Sequence, residues 1–120
     1  MAQNEQHRQV EIAIELEETA RILAHSTREI PSPIDSYALL AELARAIDHL
    51  QQTARQVSAW HRRVTDGQEY FGEDDRGDGA TGTLEAAEQL EAAANALDRA
   101  SEAVRDAHTA NGVVRWVERP

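Results

Sequence analysis

The stretch 33–64, PIDSYALLAELARAIDHLQQTARQVSAWHRRV, decides the fold. Its apolar positions Leu40, Leu43, Ile47, Leu50, Ala54, Val57, His61 and Val64 advance by alternating steps of three and four. That is the repeat of a helix with a continuous apolar seam. Ser32 followed by Pro33, with Asp35 three residues after the serine, reads as a start signal with proline at the first helical position. A helix over 33–65 is about 48 Å long at 1.5 Å per residue. The flanking positions Ala44, Ala46, Gln51 and Thr53 carry no opposed charges, which suits a bundle face better than a two-stranded zipper.

Two further helices follow from the same reasoning. Over 83–111, Ala87, Leu90, Ala94, Leu97, Ser101, Val104 and His108 again step by three and four. Thr83 stands where a cap is expected, Glu85 and Glu88 lie at the positive end of the dipole, and Asn111-Gly112 is a stop signal. Over 4–24, Val10, Ile12, Ile14 and Leu16 alternate as in a strand, but Glu, Gln and Ala flank the run and Glu17 sits four residues before Arg21. Helix is the reading there. The connection 66–82 holds five of the six glycines and permits reversal. The expected fold is therefore all-α: a single domain, a three-helix bundle in which the second and third helices form a long antiparallel hairpin and the first packs along it. The apolar, β-prone residues from Val113 onward, VVRWVERP, are expected to form a short extended tail.

Composition sets the limits on function. Leu, Ile, Val and Phe total 23 residues against a formal charge of −10, with 21 alanines to build helix. Ala-rich helices bury little area each, so self-association is the expected way to make up the deficit. All twelve basic residues are Arg, and Arg and Ala rise together in GC-rich bacterial genomes. The acidic balance counts against nucleic acid, which demands a basic footprint; Arg55, Arg62 and Arg63 fit the negative end of a helix dipole. There is no Cys, no secretory pattern in MAQNEQHRQVEIAIELEE and no apolar run near the ~20 residues of a membrane helix. The expectation is a soluble, cytoplasmic protein.

The segment 73–85, EDDRGDGATGTLE, carries the only loaded chemistry. Counted from Asp74, a twelve-residue calcium loop would place Asp74 and Asp78 at ligand positions, Gly79 at the turn and Glu85 at the closing position. Arg76 falls where a carboxylate is wanted, so the plainer reading is a hydrated acidic connection, with a calcium-responsive module as an alternative. Arg76-Gly77-Asp78 is short enough to arise by chance. Tyr70 and Phe71, adjacent aromatics in a polar loop, are candidate partner-binding residues, as are Val113, Val114 and Trp116 in the tail.

His61 and His108 fall on the inward seams, toward opposite ends of the hairpin, and no Glu-x-x-His pattern accompanies them. Glu11, Glu15, Glu17 and Glu18 read as a solvated face. No metalloprotease, phosphate-loop, dinucleotide or nucleophile-elbow motif is present, so neither a catalytic residue nor a cofactor is expected. Tyr70 and Asp74 match the Tyr-x-x-x-Asp/Glu signal of the WXG100-type substrates of type VII secretion, small Cys-free helical hairpins that the chain resembles in this respect. Such a resemblance implies export. The Trp-x-Gly turn of that family is absent, since Trp60-His61-Arg62 lies within the second helix and no Gly follows. The residues point first to a non-enzymatic protein that binds a protein partner or its own copies, as an assembly component or regulator.

Overall fold

The computed structural model describes residues 7–64 and 79–117. Among them are three α-helices and no strand: α1, Gln9–Ser26; α2, Ser36–Arg63; and α3, Gly79–Asn111. The described residues divide into two units, one running to Ile34 and including Trp116 and Val117, the other Asp35–Arg115.

In the first unit, α1 is helical despite its alternating sequence. Local charge pairs of helical spacing support it: Arg8 reaches Glu11 at 3.0 Å and Glu15 at 3.2 Å, and Arg21 reaches Glu17 at 3.2 Å. At its end the Ser26 and Thr27 hydroxyls both donate to the Leu23 carbonyl at 2.9 Å, beside the Thr27 backbone N–H that bonds the same oxygen at 3.0 Å. No residue of α1 is buried.

The second unit is an antiparallel hairpin of α2 and α3. Its entry differs from the sequence expectation. Pro33–Asp35 form a single 3-10 turn, and the α-helix begins at Ser36. Proline fixes φ for either kind of turn, so its presence alone does not choose between them. The start of α3 differs more. Thr83 was expected to cap the helix, yet α3 begins four residues earlier, at Gly79. The Thr83 hydroxyl instead donates across the hairpin to the His61 carbonyl at 3.1 Å. Gly82, inside the first turn, costs roughly 1 kcal/mol against alanine in a helix. Packing against the end of α2 offsets that cost.

The helices meet along small residues. Ala44 and Ser58 on α2, and Ala87, Ala94 and Ser101 on α3, are the buried positions. Among the described residues no large side chain is fully buried. Ser58 Oγ donates to the Ala87 backbone carbonyl at 2.7 Å, which places the two backbones within one short side chain of each other. The far end closes where Tyr37 stacks on His108 with ring centroids 3.8 Å apart and Asn111 Nδ2 donates to Ser36 Oγ at 2.9 Å. Gly112 ends α3, its N–H donating to the His108 and Thr109 carbonyls. A Cβ there would come within 3.3 Å of the Tyr37 ring and 3.2 Å of the Thr109 oxygen, so glycine is what lets the tyrosine lie this close.

Candidate interaction surfaces

A seven-residue repeat runs through both helices of the hairpin and sorts its surface into stripes. The contact stripe is Tyr37, Ala44, Gln51 and Ser58 on α2 and Ala87, Ala94, Ser101 and His108 on α3. The pairs Tyr37–His108 and Ser58–Ala87 fix one register along it, twenty-one residues up one helix matching twenty-one down the other.

Four residues beyond Ala44, Gln51 and Ser58 on α2 and Ala87, Ala94 and Ser101 on α3, about 40° around the helix, lies a polar ladder. Arg62 meets Glu91 at 2.8 Å, Arg55 meets Asp98 at 3.9 Å and Asn95 at 3.1 Å, and Arg105 meets Asp48 at 2.5 Å. The last rung is the best built. Ser101, buried beneath it, donates to Asp48 Oδ1 at 2.5 Å, and Arg105 donates to both that hydroxyl and the carboxylate. Hydrogen bonds from Arg105 and then Ser101 hold the Asp48 carboxyl below its ordinary range, and the carboxylate raises Arg105 in turn. Sequence reasoning passed over this rung, because Asp48 and Arg105 are separated by 57 residues and belong to no motif. The shared spacing of Asp48, Arg55 and Arg62 against Glu91, Asp98 and Arg105 is the signal that reveals it.

One residue before each contact position, about 100° round to the other side, lies an uncharged stripe. On α2 it is Ser36, Leu43, Leu50 and Val57, continued by Val64 just past the helix end; on α3 it is Ala86, Ala93, Ala100 and Ala107. Val57, Ala93, Ala100 and Ala107 are exposed, and the others half-buried. Most of the large residues that define the seam of stretch 33–64 are thus half-buried beside the helix contact. The line of closest approach belongs to the small residues one step away.

The sequence-derived site residues distribute as follows. Val113 is 80% and Val117 78% exposed, with Val114 and Trp116 about half so, and residues 114–117 form no strand. Tyr70, Phe71, Asp74 and Asp78 lie outside the described residues. Glu85, the closing position of the calcium count, is exposed in the second turn of α3, and Gly79 is that helix's first residue. Among the described residues no group of His, Asp and Glu is arranged to hold a metal ion. His61 places Nδ1 2.9 Å from the Val57 carbonyl and meets Trp60 edge-on, while His108 lies under Tyr37 with a buried Nε2 that has no partner. Glu11 and Glu15 are exposed and engaged by Arg8 just before α1, and Glu17 is exposed and engaged by Arg21 within it. Among the described residues, no helix is long and apolar enough to cross a membrane. No family model, curated protein or solved structure matches the chain.

Proposed function

We propose that the protein is a non-enzymatic assembly or regulatory component, cytoplasmic, working through protein–protein contacts and associating with its own copies. One observation carries this reading: the described part of the hairpin fully buries only alanine and serine, while many large apolar side chains of the chain stay exposed. Val10, Ile14 and Ile22 on α1 are 75%, 52% and 68% exposed, and the tail adds Val113 and Val117. Display of that much apolar surface is ordinarily the mark of a surface that meets another macromolecule. Trp116, amphipathic and half-exposed among valines, is the anchor we assign to the tail.

The test is to follow Trp116 emission and its quenching by iodide in a Trp60→Phe background while protein concentration rises. Protection of Trp116 in step with increasing mass supports the reading. Unchanged quenching while the mass rises removes the tail from the contact.

A further inference from the structure

The uncharged stripe of the hairpin has a property that identifies its occupant: large residues on one helix and small ones on the other. We infer that a second copy of this chain docks there, the two hairpins related by a two-fold axis parallel to their helices. The inference rests on the self-association proposed above and says where, and in what register, the copies meet.

Size is the first argument. A two-fold contact is isologous, so whatever α2 of one copy touches on the partner's α3 is touched again in reverse. With that axis, Leu43, Leu50, Val57 and Val64 face the partner's Ala107, Ala100, Ala93 and Ala86, and the partner's large residues face the small ones here. Large against small at seven-residue spacing lets helices interdigitate without voids. Neither α2 against α2 nor α3 against α3 offers this match.

Register is the second. An axis parallel to the helices leaves every residue at its own height, so the register within the hairpin carries over to the contact between copies. Within the hairpin, the Ser58–Ala87 pair sets Leu50 level with Asn95, and the Arg55–Asp98 pair sets it level with Ala103. Ala100 lies inside that window, and the other three pairs follow by the common spacing of seven.

Charge is the third. α2 holds four arginines against Glu42 and Asp48, a net +2, whereas α3 holds six carboxylates against Arg99 and Arg105, a net −4. Placing α2 beside the partner's α3 repeats the complementarity the ladder already uses, and the stripe itself brings no charge to be desolvated. The product is a four-helix bundle with antiparallel neighbours. Ile47, Ala54, Leu90 and Leu97 lie on the arc that faces its middle.

The chain has no cysteine, so single sulfhydryls report the contact without background. Full-length Leu50→Cys and Ala100→Cys chains are oxidised separately and after mixing, and wild type, Ala100→Glu and Trp116→Ala are weighed by light scattering with helix content checked by circular dichroism. The inference expects a disulfide-linked dimer from the mixture and little from either chain alone, since the two α2 helices stand on a diagonal. It also expects Ala100→Glu to be helical but monomeric and Trp116→Ala to remain a dimer, weakened by loss of the tail's anchor. A dimer that survives Ala100→Glu and fails with Trp116→Ala overturns the flank while leaving self-association through the tail. A monomeric wild type overturns both, and if Ala100→Glu then also lowers the melting temperature, the stripe is covered from within the chain.

Discussion

Ser58 Oγ and the Ala87 carbonyl are 2.7 Å apart across the hairpin, a side chain of one helix bonded to the backbone of the other. Helices bearing leucine at that position would stand too far apart for it. The close approach has two consequences: the core contains almost no large side chain, and the large ones that remain are left for other contacts.

Ser58→Ala removes this buried bond and is expected to cost about 1 kcal/mol. Ala94→Leu inserts bulk into the closest part of the contact and is expected to cost about 1–3 kcal/mol. Thermal unfolding measures both. If Ala94→Leu is as stable as wild type, the helices do not meet along this stripe.

The Asp48 rung gives the hairpin an acid dependence. Its carboxyl is held below the ordinary 3.8 when folded and returns to about that value when the chain unfolds. The rung's contribution is therefore present above 3.8 and is lost as pH falls through the lower folded value. The difference in melting temperature between wild type and Asp48→Asn is expected to be constant near neutrality and to shrink in strong acid. A difference that grows on acidification contradicts the assignment.

Tyr37 covers His108 and the Gly112 turn at the far end. Tyr37→Ala is expected to cost about 1 kcal/mol from lost stacking and to speed amide exchange at Gly112 and Val114, whose N–H groups bond the end of α3. Equal exchange rates in the two proteins would show that the tyrosine does not hold this end.

The hairpin is legible in the sequence because its periodicity is long and unbroken in both helices. Which residues lie closest is less legible. The eye follows Leu40, Leu43 and Ile47, but burial is set by backbone approach, and Ala44 and Ser58 permit what leucine prevents. Thr83 misled for a related reason: as a cap its hydroxyl would serve its own helix, and nothing local announces that it serves His61 instead. The ladder is invisible to motif reading because its partners are tens of residues apart and meet only once the register is known. On the surfaces, Val113 and Val117 of the tail are exposed, which their apolar, β-prone sequence did not announce.

The most direct test of the account is the solution mass of the intact chain by light scattering across a hundredfold range of concentration. The account predicts a discrete species of twice the 13.3 kDa chain mass. A 13.3 kDa particle at every concentration contradicts it.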